Sequence, residues 1–347
     1  MDSKLLITVV IVVILIVIIV FWARGDSPLP HHIDNLHPRG DFPVSETLPA
    51  FLRKDGRPVV TAPRITQRIS LPANYDTRTA WPGWITPVYD QGSCGSCWAF
   101  SACGVFGDRI NIASKGADLL PNDYISQYNL AACMKCGTKG LNKPCNSVCT
   151  GHYMDEVIDY LKTHGTYSQQ QVGNPGEYIC FGPTVQPFPK LYKATSCYRA
   201  NPHTYGQLDS PQKLSDNEYA IMYEIFTHGP VTATVKIFDP VGKGQIDKNF
   251  YLYKGGIYGA NWDSDPRESD GYHAVAIIGW GEEAPSASTS SSNNFSKFRA
   301  RPTNNQPIKY WIVRNSWGDK WGENGYAKVV RGVNRIIIES DNWTMSY

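Results

Sequence analysis

The segment that decides the fold is Gln91-Gly-Ser-Cys-Gly-Ser-Cys-Trp-Ala-Phe-Ser-Ala-Cys-Gly-Val-Phe-Gly-Asp-Arg109, in which a glycine- and serine-rich turn leads directly into an apolar stretch. The apolar residues recur at helical spacing: Trp98, Ala102, Val105 and Phe106. This spacing predicts a helix that begins at Cys97 and buries one stripe, with Ser96 or Ser93 capping its first amides. The positive end of the helix dipole favours the thiolate of Cys97, which is the nucleophilic form.

The cysteines indicate an oxidised protein with one reactive thiol. There are nine of them, so eight can pair, and Cys97 is the natural remainder while Cys94 fixes the turn. Two alternative roles for these cysteines are open. Cys94-x-x-Cys97 followed by Cys133-x-x-Cys136 has the paired spacing of a zinc site, and one Cys-x-x-Cys alone resembles a redox dithiol. A zinc ribbon does not usually place a ligand at the head of a long helix, so we expect no metal and no cofactor.

Length and charge limit the class of protein. With 347 residues and 42% hydrophobic content, the chain can build one large or two smaller domains. The net charge of +2 is too small to indicate a nucleic-acid partner.

The N-terminus predicts a membrane anchor. Residues 5–22 form an apolar run of 18 residues without a charge, which as a helix spans roughly 27 Å of the ~30 Å bilayer core. A cleaved signal peptide is the alternative, but its apolar region is usually only ~7–15 residues long and ends in small residues. Because disulfides need an oxidising compartment, we expect the remaining chain on the lumenal or extracytoplasmic side. The glycosylation sequons at Asn294 and Asn342 are compatible with that side.

Composition and periodicity divide the chain into three regions. Residues 1–24 are the anchor or signal segment, and the proline-rich residues 25–70 are a stalk or short pro-segment. Residues 71–347 form a helical half, about 71–212, and a strand-rich half, about 213–347, which is an α+β architecture with a cleft between two lobes. The Ser- and Asn-rich stretch 282–306 is expected to be a surface insertion.

The pattern also predicts individual elements. The expected helices cover 97–114, 154–163 and 215–227, and a short helical segment over 122–130 is expected to end near Cys133. The expected strands cover 231–238, 271–280, 309–314, 326–330 and 335–338.

A cysteine nucleophile that attacks an amide needs a base, and histidine is the best suited side chain near neutral pH. Of eight histidines, only His273 lies in an alternating strand, where the ordinary alternative is a core residue bonded to the backbone. Asn315 follows the next predicted strand and can orient the second ring nitrogen, with Trp317 covering that bond from water.

Two motifs carry a resemblance to a known family. Asp90–Phe100, which contains Cys-Gly-Ser-Cys-Trp, and Asn-Ser-Trp-Gly at 315–318 resemble the papain family of cysteine proteases. Residues 71–76, 81–82 and 108–110 are most similar to the cathepsin B branch. The resemblance implies a papain-like two-lobe fold, with a helical lobe and an antiparallel β-barrel-like lobe, here preceded by a transmembrane helix, and with the active site in the cleft.

The resemblance also implies a function. The expected protein is a monomeric, membrane-anchored cysteine endopeptidase acting on polypeptides, with Cys97 as nucleophile, His273 as base and acid, and Asn315 as orienting residue. Gln91 and the Cys97 N–H would form the oxyanion hole. Disulfides Cys94–Cys149 and Cys136–Cys145 are implied in the same way.

Substrate contacts are carried over residue by residue. By resemblance, Gly151 would bind the substrate backbone, Trp317 would border the site, and Asp341 would lie in the S2 pocket and accept a basic residue. His152 stands where the family has a second glycine. The region between Cys180 and Cys197 lacks the paired histidines of cathepsin B carboxydipeptidases, which favours an endopeptidase. A catalytically idle, papain-shaped binding module is the rival hypothesis.

Overall fold

The computed structural model describes residues 65, 68–119, 122–136, 148–173, 175–181, 190–237, 248–262, 271–284 and 306–347. The predicted anchor, most of the stalk and most of the 282–306 insertion lie outside these residues. Within the described part, no helix is both long enough and apolar enough to cross a bilayer.

The described chain alternates helices and strands. The helices are α1 (Thr77–Ala80), α2 (Cys97–Ser114), α3 (Gln127–Cys136), α4 (Met154–Thr163), α5 (Gln169–Val172) and α6 (Pro211–His228). The strands are β1 (Tyr75–Asp76), β2 (Ser196–Arg199), β3 (Val231–Ile237), β4 (Ile257–Tyr258), β5 (Gly271–Glu283), β6 (Ile308–Arg314), β7 (Tyr326–Val330) and β8 (Trp343–Ser346).

Helix α2 begins at Cys97 as predicted, but it is more deeply buried than its sequence indicated. Every residue from Cys97 to Ile110 is buried, so the helix has no exposed face over most of its length. The reason is its position, because α3, α4, β5 and β8 all pack against it. It ends at Lys115, which adopts a left-handed conformation with a φ of 54°.

Strand β5 lies at the centre of a six-stranded sheet. β1, β3 and β6 pair antiparallel with β5, β7 pairs antiparallel with β6, and β4 pairs parallel with β7. Hydrogen bonds between the described strands do not close this sheet into a barrel, and the parallel β4 departs from the expected antiparallel arrangement. The α+β class is confirmed.

Both faces of β5 are buried, each in a different core. Ala274, Ala276 and Ile278 pack in the cluster that surrounds α2, whereas Val275 and Ile277 pack in the cluster of the β lobe. Side chains alternate between the faces of a strand, so one strand serves both lobes. Because β5 borders both cores along its length, the residues at the start of β5 lie at the boundary between them.

The two ends of the described region cross between the lobes. β1, near the start, pairs with β5, and β8, at the end, pairs with β2 and packs against α2. Segments near both ends of the described chain thus pair with elements of the other half, and the lobe boundary near residue 212 stays a prediction.

Two element predictions differ from the structure. The helical segment expected from 122 to near Cys133 begins later and spans Gln127–Cys136, and the strand expected at 335–338 is a 3-10 turn over Arg335–Ile337. Asn334, Ile336 and Ile337 have φ values of 49°, 51° and 61°. The Glu339 carboxylate accepts the N–H groups of Gly332 and Asn334 and thereby stabilises this turn.

The observed disulfides agree only in part with the pairings predicted from the sequence. Cys94–Cys149 is confirmed, whereas Cys133–Cys180 was not predicted. Cys103 and Cys197 are buried thiols like Cys97, so the expectation of one leftover cysteine is wrong. The Cys136–Cys145 pair depends on Cys145, which lies outside the described residues. Since Cys94 and Cys133 are both in disulfides, they offer no thiolates to a zinc site.

The sequon at Asn342 is not available in the folded protein. Asn342 is fully buried, and its side-chain amide donates to the carbonyls of Thr232 and Ile338. Asn294 lies outside the described residues.

A buried ion pair joins α2 to the sheet. Arg314 Nη2 donates to Asp108 Oδ2 at 2.8 Å, and both side chains are buried. The Thr86 N–H donates to Asp108 Oδ1 at 2.6 Å, and Arg314 Nη1 donates to the Thr86 carbonyl at 2.7 Å. Burial raises the pKa of the Asp108 carboxyl, and Arg314 opposes this shift.

Asp108→Ala leaves the Arg314 guanidinium buried without its counter-charge. We expect the free energy of unfolding, measured by urea denaturation, to fall by about 3–5 kcal/mol. Arg78→Ala, which removes the ion pair that Arg78 forms with Asp76 near the surface, is the control and should cost less than about 1 kcal/mol. Equal losses in the two variants would contradict the role given to the buried pair.

Candidate active site

His273 and Asn315 lie side by side at the start of β5 and just after β6. His273 Nε2 is 2.7 Å from Asn315 Oδ1. The Ser316 N–H also donates to that oxygen, at 2.8 Å. Because a backbone N–H can only donate, the atom facing His273 is the amide oxygen, and the His273 ring carries its proton on Nε2. The structure thus brings together two residues that are 42 positions apart.

The indole of Trp317 covers this hydrogen bond. It stacks on the His273 ring with centroids 4.6 Å apart and an interplanar angle of 27°. Both His273 and Asn315 are buried. The imidazole is therefore held in one orientation and its Nε2 side is shielded from water.

Cys97 is the first residue of α2, and its sulfur lies against β5. Cys97 packs in the same buried cluster as Ala274 of β5. Since Ala274 follows His273 directly, the thiol lies beside the strand that carries the histidine. Cys94 is bonded to Cys149, so Cys97 is not locked into a bridge with it.

The helix start alone does not produce a thiolate. Burial raises the pKa of the Cys97 thiol to about 12, although the backbone N–H groups of Ala274, Trp98 and Cys97 act in the opposite direction. The loss of hydration of a fully buried sulfur outweighs these dipoles. A thiolate at this position needs a nearby positive charge.

Gln91 bridges the turn before α2 and the segment after β6. Its backbone N–H donates to the Ser316 carbonyl at 2.9 Å, and its Nε2 donates to the Cys94 carbonyl at 2.8 Å. Ser316 Oγ donates to Gln91 Oε1. The Gln91 amide has a second N–H beyond the one used by Cys94. Sequence reasoning missed Ser316, although it stands between Asn315 and Trp317.

Hydrogen bonds from helices α2 and α3 hold the loop that contains Gly151. Trp98 Nε1 donates to the Thr150 carbonyl at 3.2 Å, and Lys135 Nζ donates to the Gly151 carbonyl at 2.8 Å. The His152 ring packs edge-on against Trp98 with centroids 5.2 Å apart. The Gly151 carbonyl therefore already has a donor, and a substrate-binding role for Gly151 stays a prediction.

Asp341 has a basic partner from its own chain. Its carboxylate accepts from Thr234 Oγ1 at 2.6 Å and from Trp343 Nε1 at 2.7 Å, and Arg199 Nη2 lies 3.4 Å away. Thr234 is the cross-strand partner of Ala274, so this cluster lies beside the first residues of β5. A basic substrate residue would compete with Arg199, and the preference assigned to Asp341 stays a prediction.

Comparisons with known proteins agree with this geometry. Residues 71–345 match the model of the papain family of cysteine proteases. The chain is 30% identical to cathepsin B-like CP1 of Giardia intestinalis over 275 residues, which cover 78% of this chain and 72% of that protein. It is 32% identical to bovine (Bos taurus) tubulointerstitial nephritis antigen over 292 residues, covering 79% of this chain but only 52% of the antigen, about half its length.

A solved structure shares the fold. Procathepsin B S9 from Trypanosoma congolense superimposes with a TM-score of 0.57 at 21% identity, covering 86% of this chain and 85% of that one.

Glu339, which follows the turn at Arg335–Ile337, is a fully buried carboxylate. It accepts from Trp311 Nε1 at 2.8 Å and from the N–H groups of Gly332 and Asn334 at 2.6 Å each. Burial raises the pKa of Glu339 from 4.5 to about 7; the three donors lower it, and Glu218 adds to the increase. The charged form is therefore less favourable in the folded protein than in the unfolded chain.

The raised pKa of Glu339 makes stability depend on pH. Its contribution is fully present below pH 4.5 and is lost as the pH rises through about 7. We expect the free energy of unfolding to be on the order of 3 kcal/mol lower at pH 8 than at pH 4.5 because of this group. Glu339→Gln cannot ionise, so the difference between the two pH values should shrink by that amount. An unchanged pH dependence in the variant would rule out Glu339 as its source.

Proposed function

The chain belongs to the papain family of cysteine proteases, and from this premise we propose that it is a cathepsin B-like cysteine endopeptidase that hydrolyses peptide bonds in polypeptides. One observation carries the proposal. The imidazole of His273 is oriented by Asn315 and covered by Trp317, and Cys97 packs in the same buried cluster as Ala274, the residue that follows His273.

The first step is proton transfer from Cys97 to His273. The ring carries its proton on Nε2, toward Asn315, so Nδ1 is the nitrogen that can accept the thiol proton. The resulting imidazolium supplies the positive charge that a buried thiolate requires. Asn315 Oδ1 continues to accept the Nε2 proton and holds the ring in place.

The thiolate then attacks the carbonyl carbon of the scissile peptide bond. The developing oxyanion is stabilised by the Cys97 N–H and by the second N–H of the Gln91 amide. Ser316 and the Cys94 carbonyl hold that amide in orientation. His273 returns its proton to the leaving amine, and an acyl-enzyme forms. Water, deprotonated by His273, hydrolyses the thioester and restores the thiol.

A catalytically idle binding module is the second candidate. Two observations favour it, namely the occupation of the Gly151 carbonyl by Lys135 and the complete burial of Cys97. Such a module would hold a peptide in the cleft without cleaving it. It is distinguished from the peptidase by turnover and by reactivity of the thiol.

Cys97→Ala removes the proposed nucleophile. We expect hydrolysis of fluorogenic peptide substrates to fall at least about a thousandfold, together with loss of labelling by an epoxide-type thiol-directed inhibitor. Cys103→Ala is the matched control, because it removes a buried thiol from the same helix, and it should retain both activities. Labelling that persists in Cys97→Ala would refute the assignment, and absence of turnover and labelling in the wild type would favour the binding module.

We also propose that the protein is anchored in a membrane by residues 5–22, with the peptidase on the lumenal or extracytoplasmic side. The uncharged run of 18 residues supports the anchor. The disulfides Cys94–Cys149 and Cys133–Cys180 support an oxidising compartment.

Ile14→Arg places a charge in the middle of the apolar run, which costs several kcal/mol in a bilayer. We expect the wild-type chain, expressed in cells, to stay in the membrane pellet after alkaline carbonate extraction. Ile14→Arg should shift it to the supernatant, while Ser3→Arg, outside the run, should not. Extraction of the wild type by carbonate would contradict the anchor.

A further inference from the structure

The indole of Trp317 stacks on a second ring besides that of His273. The Tyr251 ring lies almost parallel to the indole, with centroids 4.9 Å apart and an interplanar angle of 10°. The His273 ring lies 4.6 Å from the same indole, at 27°. These residues form a three-ring stack in which Trp317 contacts both the tyrosine and the proposed base.

Two further aromatic side chains pack edge-on against Trp317. The centroid of the Phe250 ring lies 5.7 Å from that of the indole, at 64°, and the Trp321 ring lies 5.3 Å away, at 89°. Trp317 itself is only 5% exposed. Of the aromatic neighbours that the structure describes, Tyr251 is the one most nearly parallel to the indole. It therefore fixes the tilt of the indole plane.

The backbone of Tyr251 is held in place by its neighbours. Tyr251 lies in a 3-10 turn, Phe250–Leu252, and its N–H donates to Oδ1 of the N-cap residue Asn249 at 2.9 Å. Trp321 Nε1 donates to the carbonyls of Phe250 and Tyr251 at 3.3 and 3.2 Å. The turn is thus bonded to the segment between β6 and β7, which also carries Trp317. Tyr251 and the indole on which it stacks are held by the same group of contacts.

The tilt of the indole matters because the proposed base becomes charged. In the proposed mechanism, His273 is an imidazolium once it has taken the thiol proton. The face of an indole attracts a cation, and tryptophan is the strongest aromatic partner for one. The edge of an aromatic ring carries positive potential instead. An indole that tilts away from the imidazolium therefore stabilises it less.

We propose that Tyr251 is a positioning residue for the proposed base: by stacking on Trp317, it holds the face of the indole against the His273 ring and so stabilises the imidazolium. The inference rests on the proposed function, in which His273 takes the proton of Cys97. Sequence reasoning missed Tyr251, because it is one of three aromatic residues within positions 250–253 and no pattern there distinguishes it.

The dependence of activity on pH separates this role from a general loss of packing. The active form has a Cys97 thiolate and a His273 imidazolium. The acidic limb of the profile reports the loss of the thiol proton, and the imidazolium is present on both sides of that step. The alkaline limb reports the loss of the imidazolium proton. Only the alkaline limb therefore depends on how well the imidazolium is stabilised.

Other titratable groups adjoin the base. Lys236 and Tyr272 are cross-strand partners beside the start of β5, Asp90 forms a backbone bridge with Trp317, and the Cys97 thiol is at the start of α2. All of these groups are kept in every variant described below. A change in the alkaline limb between variants therefore reports on the stack.

The experiment compares Tyr251→Leu, which removes the ring, with Tyr251→Phe, which keeps it. kcat and KM for a peptide substrate are measured against pH, and the His273 imidazole is titrated by NMR in the full-length chain with isotope-labelled histidine. Tyr223→Leu is the control, since Tyr223 is another half-buried tyrosine and stacks on Tyr219 in α6. Thermal unfolding of each variant checks folding. Tyr251→Met, which also lacks a ring, replaces Tyr251→Leu if the latter does not fold.

We expect Tyr251→Leu to move the alkaline limb and the midpoint of the His273 titration about half a pH unit lower, because part of the attraction between indole and imidazolium is lost. On the alkaline side, kcat/KM should then fall about threefold. The acidic limb and the activity between the two limbs should stay at their wild-type values. Tyr251→Phe and Tyr223→Leu should keep the whole wild-type profile.

Three outcomes would overturn the proposal. They are an unshifted alkaline limb and midpoint in Tyr251→Leu, a shift of both limbs together, and a shift in Tyr251→Phe as large as that in Tyr251→Leu. The NMR titration requires no substrate turnover. A protein whose His273 midpoint shifts in Tyr251→Leu but which cleaves no peptide would therefore refute the proposed function and leave the role of Tyr251 in the stack intact.

Discussion

The ion pair between Asp108 and Arg314 is the constraint on which the site geometry depends. Asp108 lies on the same helix as Cys97, and Arg314 directly precedes Asn315, so the pair fixes the helix that carries the thiol relative to the strand that leads to the orienting amide. Because both charges are buried, neither can leave the other without a large desolvation cost. Two chain segments 206 residues apart are thereby joined in one register.

Burial dominates the electrostatics of the site. A helix dipole favours a thiolate at its N-terminus, but complete burial of Cys97 has a larger effect and raises the pKa of the thiol. The backbone N–H groups of Ala274, Trp98 and Cys97 lower the pKa but do not cancel the effect of burial. The charge of the nucleophile therefore depends on His273, and every group that orients the ring or the amides acts indirectly on the sulfur. Asn315, Trp317 and Ser316 are examples.

Sequence reasoning succeeded where the information is local. The helix from Cys97 and the helix Met154–Thr163 were predicted with their observed bounds, and β3, β5, β6 and β7 within a few residues. In each of these elements the hydrophobic residues recur with one constant spacing, helical or alternating, along a continuous segment. The turn over Arg335–Ile337 was mistaken for a strand because its run of isoleucines is apolar, while its shape depends on hydrogen bonds to Glu339.

By itself the sequence determined that Cys97 stands at the start of a buried helix, and it singled out His273, Asn315 and Gln91 as the residues to be brought near it. The helix and the strands are each specified by a pattern within a short segment, whereas the roles of Gln91 and Asn315 follow from motifs that resemble the papain family. Only the tertiary structure decided that Cys133 bonds to Cys180, that Tyr178 holds Ser96, and that Arg199 lies beside Asp341. These pairs join positions 47 to 142 residues apart. No periodicity encodes such contacts, which arise only when separate segments pack against a common core.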